Sequence, residues 1–197
     1  KPYLFKSSNK GKTLTSISGD LPESGSVYCI KQDHVDPNLL FAGTEFGAYF
    51  SSNGGKNWVK LNGLPTIAVY DLDIQKREND LVAGTFGRGI YVLDDYSPLR
   101  SLRETENKNA HLFPIKDALL YVQSNPLGDW GKGSHGANLW TGENPDFGAT
   151  FTFFLKDVPK TLVEQRKEEE KKLEKDKKDV SYPDFDQLKS DPSAKLR

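Results

Sequence analysis

Few residues of this sequence are of a type and spacing that could carry out chemistry. Hydrolysis of a glycosidic bond needs two carboxylates facing each other across the scissile bond, about 5–10 Å apart. Glu45, Asp71, Asp73, Asp94 and Asp95 are available. Asp71 and Asp73 stand two positions apart, which in a strand places both on one face. Two acids on one strand do not straddle a substrate, and Asp94-Asp95 reads as an exit turn, so no catalytic pair is expected here. His34, His111 and His135 have no ligand spacing, and no metal site is expected. The lone Cys29 excludes a disulfide framework and a paired-cysteine zinc ribbon. It alternates into a strand, as a small buried residue does. Gly84-Thr-Phe-Gly-Arg-Gly89 has the glycines of a phosphate loop but lacks the Lys-Ser/Thr and leads into a strand, so it is a turn. No cofactor is implied. What remains is contact chemistry. Arg88 could grip a carboxylate or sulfate, and Phe46 could stack on a sugar face. Trp130 and Trp140, in the Gly-rich loop 128–148, could form a sugar platform or pack as a core or lid.

Composition narrows the partners. With 27 basic and 28 acidic residues in 197, the net charge is −1, so the chain has no basic field for nucleic acid. The lysine-rich run near the end is balanced by acids and has no interleaved aromatics, which also argues against RNA or DNA. No stretch approaches the ~20 apolar residues of a membrane helix. The hydrophobic fraction, 36%, is enough for a core. Methionine is absent and the sequence opens mid-pattern at Lys1, which reads as an internal piece of a longer protein.

The elements that must position these residues repeat. Tyr3-Leu-Phe-Lys-Ser-Ser-Asn-Lys-Gly11 returns as Ala48-Tyr-Phe-Ser-Ser-Asn-Gly-Gly55, with Asn9 and Asn53 separated by 44 positions. Leu21-Pro22 returns as Leu64-Pro65, and Ala42-Gly43-Thr44 as Ala83-Gly84-Thr85. This period is the length of a four-stranded propeller blade. Val27–Lys31, Leu39–Ala42, Ala48–Ser51 and Trp58–Leu61 supply four strands, A to D. Lys1–Ser18 supplies a C and a D strand. Val69–Ile74, Leu81–Ala83 and Ile90–Leu93 supply A, B and C, with no D strand following. In Val69–Ile74, alternation sets Val69, Asp71 and Asp73 against Tyr70, Leu72 and Ile74. Each blade buries its faces only against neighbours, so further blades are expected, from the same or another chain.

Ser51-Ser-Asn-Gly-Gly-Lys-Asn-Trp58 resembles the Asp-box, the S-x-D-x-G-x-T-W turn of BNR-repeat β-propellers, and Ser7-Ser-Asn-Lys-Gly-Lys-Thr-Leu14 is a degenerate copy. Leu40-Phe-Ala-Gly-Thr-Glu-Phe-Gly47 and Leu81–Asp95 are similar to the last blades of sortilin-like and xyloglucanase-like propellers. Asn144-Pro-Asp-Phe-Gly-Ala149 resembles the fibronectin-type-III-like module that often follows them. The resemblance implies a structural role for Ser7, Asn9, Gly11, Ser51, Asn53, Gly55 and Trp58, with Trp58 packed between sheets and Leu14 as the weaker plug. It also implies that the B–C and D–A turns carry the ligand rim, which makes Glu45, Phe46, Phe86 and Arg88 the best-placed contacts.

The expected fold is therefore all-β: the last blades of a partial propeller over 1–100 and a polar linker over 101–109. A β-sandwich segment follows over 110–157 (strands His111–Ile115, Ala118–Gln123, Ala149–Lys156), then a charged helical or disordered spacer and tail over 158–197. In that spacer, 14 of the 16 residues from Glu164 to Asp179 are charged, with Glu168–Lys172 and Glu174–Lys178 in favourable i,i+4 order. The expected function is a secreted, periplasmic or cell-surface scaffold binding a glycan or protein. The alternatives are a glycoside hydrolase whose acids lie in other blades, and a sortilin-like peptide receptor.

Overall fold

The computed structural model of the chain describes residues 1–118, 120, 147–158 and 160–180. It divides into two compact units, Lys1–Phe154 and Leu155–Arg197. The described chain is mostly β, and every strand pairing is antiparallel.

Three sheets follow one another along the first unit. Strands β1 (Phe5–Lys6) and β2 (Thr15–Ser16) form a hairpin. Strands β3 (Val27–Gln32), β4 (Leu40–Thr44), β5 (Gly47–Ser51) and β6 (Val59–Lys60) form a four-stranded sheet in chain order. Strands β7 (Val69–Gln75), β8 (Asp80–Thr85) and β9 (Ile90–Leu93) form a three-stranded sheet. Strand β10 (Ala110–Leu112) pairs with β11 (Phe153–Leu155). Of the run 118–123 expected as a strand, Ala118 and Leu120 are not in one, and the rest lies outside the described residues.

The middle sheet is buried on both faces, which is why β4 and β5 read as continuous apolar runs. Period-2 alternation sends Leu40, Ala42 and Tyr49, with Trp58, to one face, where they meet Leu4, Ile17 and Leu21 from the hairpin before. It sends Phe41, Ala48 and Phe50 to the other, where they meet Val69, Leu72, Leu81 and Ala83 of the sheet after. The first strands of the two larger sheets run side by side in the same direction, because Tyr28 meets Tyr70 and Lys31 meets Asp73. Gly43 permits that approach. A Cβ there would lie 2.7 Å from the Val69 carbonyl oxygen and against the Cys29 sulfur. Gly43→Val should therefore destabilise this unit by about 1–3 kcal/mol, read as a lowered urea midpoint with an unchanged denaturant slope.

Three expectations are corrected. First, Val69 does not share a face with Asp71 and Asp73. A bulge at Tyr70 shifts the phase, so Val69 and Leu72 both face the core while Tyr70, Asp71 and Asp73 are exposed. Second, Leu14 is 65% exposed and plugs nothing, since no described segment covers it as Ile17 covers Trp58. Third, the stretch read as exit turn and linker forms a 3-10 helix, Ser97–Thr105. Its Leu99 and Leu102, with the preceding Tyr96, pack into the core where polar composition pointed to solvent.

In the second unit the charged run is helical. Helix α1 (Leu162–Lys175) starts at a capping box in which Thr161 and Glu164 satisfy each other's backbone N–H. It has no buried residue. Glu168 pairs with Lys160 at 2.6 Å instead of with Lys172.

Candidate functional site

The two B–C turns are built alike. The Glu45 N–H donates to the Ser26 carbonyl at 3.0 Å, and the Phe86 N–H to the Ala68 carbonyl at 2.9 Å. Thr44 Oγ1 closes the first turn onto the Gly47 carbonyl at 2.8 Å, and Thr85 Oγ1 closes the second onto that of Gly89 at 2.6 Å. Each turn is thus tied two residues ahead of a tyrosine, Tyr28 or Tyr70.

Both tyrosines occupy β-bulges. In β3 the pairing steps from Val27↔Thr44 to Cys29↔Gly43, leaving Tyr28 as the extra residue, and in β7 from Val69↔Thr85 to Asp71↔Gly84, leaving Tyr70. A bulge re-aims a side chain, and here two bulges bring the rings together. Tyr28 and Tyr70 lie 4.6 Å apart with planes tilted by 50°, and Tyr70 meets Phe86 edge-on at 5.7 Å. Their exposures are 42%, 49% and 67%. Glu45 stands beside this cluster, its Oε2 accepting the Ser26 N–H at 3.3 Å. Burial, with Glu45 and Tyr70 nearby, holds the Tyr28 hydroxyl above the ordinary phenol range.

Of the expected rim residues, Phe86 and Glu45 belong to this cluster. Phe46 turns elsewhere, its ring resting on Gly25, where a Cβ would come within 2.9 Å of it. Arg88 is exposed and forms no ion pair among the described residues. Trp130, Trp140 and His135 lie outside the described residues. Among the described residues, no cluster of His, Cys, Asp or Glu could hold a metal.

The Ser-Ser-Asn turns share one scheme 44 residues apart. Ser51 Oγ accepts the Gly55 N–H at 2.9 Å, and Ser7 Oγ the Gly11 N–H at 2.7 Å. Asn53 Oδ1 accepts the Asn57 N–H at 2.9 Å, and Asn9 Oδ1 the Thr13 N–H at 2.8 Å. All of these side chains are spent on their own turns. Gly55, at φ +89°, also admits Ile17, which would stand 2.7 Å from an added Cβ. The Trp58 indole N–H donates to the Ile17 carbonyl at 3.0 Å, and its backbone N–H to Asp20 at 2.6 Å, which holds the Asp20 carboxyl below its usual range.

A second polar cluster gathers the A–B turns and the 3-10 helix. Arg100 grips the fully buried Asp33 carboxylate with two bonds, 2.8 and 2.9 Å, and reaches Asn79 at 2.7 Å. The Tyr96 hydroxyl donates to Asp33 at 2.6 Å, and the Asp36 N–H at 2.8 Å. Burial alone would raise the Asp33 carboxyl, but the bonds from Arg100, Asp36 and Tyr96 outweigh it and hold it far below the ordinary range. Burial and Asp33 together push the Tyr96 hydroxyl up. Every member is satisfied, so this is a clamp and not a poised acid–base pair.

Sequence reasoning missed Tyr28, Tyr70, Asp33, Tyr96 and Arg100. The Val-Tyr pair at 27–28 returns at 69–70, 42 positions on, and is the available signal for the tyrosines. Asp33 and Arg100 are 67 positions apart, with no local pattern joining them.

No family model matches this chain, and no curated protein matches it.

Proposed function

We propose that this chain is part of an Asp-box β-propeller acting as a non-covalent binding scaffold. Its rim, carrying Glu45, Phe46, Phe86 and Arg88, is offered to a glycan or a protein partner of a secreted or cell-surface protein. The observation that carries this reading is the exposed aromatic cluster Tyr28–Tyr70–Phe86 beside Glu45. Contiguous exposed aromatic surface marks a contact site, and two bulges re-aim the tyrosines that form this one. The stacking of successive sheets face to face, first strand beside first strand, is the packing that blades require. Strand β9 supports the same reading, since its outer edge is unpaired among the described residues and Ile90, Val92 and Leu93 are exposed there.

Hydrolysis finds no support in these residues. Asp73 is neutralised by Lys31 at 3.2 Å, and the carboxylates whose proton affinity is displaced all move downward, away from a general acid. The test is a titration of the full-length protein against panels of neutral glycans and of synthetic peptides, with product analysis. Saturable binding without turnover, lost in Phe86→Ala, is expected. Cleavage of a bound glycan, or no saturable binding on either panel, would contradict the proposal.

A further inference from the structure

Ring geometry and charge at the rim discriminate between ligand classes. A pyranose stacks on a flat aromatic face, and a row of sugars on a row of coplanar faces. The rings here are tilted by 50° and 85° to one another, so they present edges and clefts instead of a platform. The π-faces of tyrosine and phenylalanine are negative and attract a cation placed over them, most strongly where water is partly excluded. One carboxylate, Glu45, stands beside the cluster, and a second, Asp71, adjoins Tyr70 in the chain. Glu45 is fixed at Ser26, two residues from Tyr28, with no ion pair of its own among the described residues. Asp71 follows Tyr70, is exposed, and among the described residues accepts only the Leu72 N–H. Lys31, in the strand that carries Tyr28, is already paired with Asp73, and Lys60 lies along Gly47 without an ion pair to Glu45 among the described residues. An aromatic cluster beside carboxylates that form no ion pair among the described residues complements an organic cation.

Resting on the binding reading above, we infer that the Tyr28–Tyr70–Phe86 cluster with Glu45 and Asp71 binds a basic side chain, a guanidinium or ammonium, presented by an extended segment of a partner protein. The cationic head lies against Tyr70 and Phe86, where exposure is greatest, and its charge is met by Glu45. Arg88, two residues past Phe86 on the same turn, opposes the ligand and sets a limit on its affinity.

The test uses the full-length protein and a fluorescein-labelled octapeptide alternating glycine and arginine, read by anisotropy at low salt. Counterparts with glutamine or glutamate in place of arginine serve as controls. The arginine peptide alone should bind. Tyr70→Leu should weaken it about five- to thirtyfold. Glu45→Gln, which keeps an acceptor for the Ser26 N–H and removes only the charge, should weaken it about fivefold. Arg88→Ala should bind at least as tightly as the parent. Thermal midpoints within a few degrees of the parent's would show that the variants remain folded. Equal binding of the glutamine or glutamate peptide, or weaker binding by Arg88→Ala, overturns the inference. If the arginine peptide fails but a neutral glycan binds and is lost in Tyr70→Leu, the cluster is a sugar site. The inference then falls while the scaffold reading stands. If neither binds, both fall.

Discussion

Replacing Arg100 with alanine is expected to destabilise the Lys1–Phe154 unit by about 3–5 kcal/mol, among the largest single-residue effects in it. The reason is what the substitution leaves behind. The Asp33 side chain has no solvent exposure, and among the described residues Arg100 is its only bidentate partner. Without the guanidinium the carboxylate stays buried with the Tyr96 hydroxyl, the Val35 and Asp36 amides and the His34 ring at 3.3 Å, and it loses its only permanent cation among the described residues. Asn79 loses a partner as well. Because Asp33 lies in the A–B turn of the middle sheet, Asn79 in that of the next, and Arg100 in the 3-10 helix, the loss is shared by all three. Asp33→Ala combined with Arg100→Ala should cost clearly less than the sum of the single changes, the signature of a direct pair.

The clamp also fixes the sign of a pH dependence. Asp33 is held below its unfolded value, so the unfolded chain binds the proton first on acidification. The contribution is complete above the ordinary carboxyl range, near pH 4. It declines as pH falls below that and is largely gone in Arg100→Ala. Urea unfolding of parent and variant at pH 7 and pH 3 measures this directly: the gap between them should shrink at the lower pH. A gap that is constant with pH would mean that Arg100 acts by packing alone.

Trp58→Ala is the second large effect, about 3–5 kcal/mol. The indole is buried among Leu4, Leu21, Leu40 and Tyr49, and it is the largest side chain in the cluster that joins the hairpin β1–β2 to the middle sheet. Its truncation leaves a cavity and an unsatisfied Ile17 carbonyl. The ligand affinity of the folded fraction should not change, since Trp58 lies in the Ser-Ser-Asn turn and the aromatic rim is formed by the other turns. Calorimetric unfolding and peptide titration on the same sample separate the two outcomes. A loss of affinity without a loss of stability would show that the binding rim had been assigned to the wrong turns.

The strands were legible because repetition and alternation are local. The Ala-Gly-Thr ends of β4 and β8 and the two Ser-Ser-Asn turns specify where pairing stops and reverses. What escaped was nonlocal or fell between two periodicities. A bulge inserts one residue into a period of two, and Val69-Tyr-Asp-Leu72 reads as plain alternation unless its partner strand is known. The alternation reading therefore placed Tyr70 beside Leu72 when the bulge turns it toward Tyr28. The Ser97–Thr105 segment misled in the opposite way. Its arginines and glutamates look solvated, yet Arg100 is the cation that a buried Asp33 requires, and only the folded pairing shows it. Leu14 shows the same limit from the other side, because an apolar residue at a plug position is buried only if something lies opposite.

If, as proposed, the three sheets are consecutive members of a larger ring, β9 is covered in the intact molecule. Residue-resolved amide hydrogen exchange on the full-length protein tests this at Ile90–Leu93. In such a ring the amides of β9 that do not pair with β8 are protected as strongly as those of β5, which β6 covers in the neighbouring sheet. Exchange of those amides at rates close to those of an unstructured chain would mean that the edge is open, and would contradict the ring.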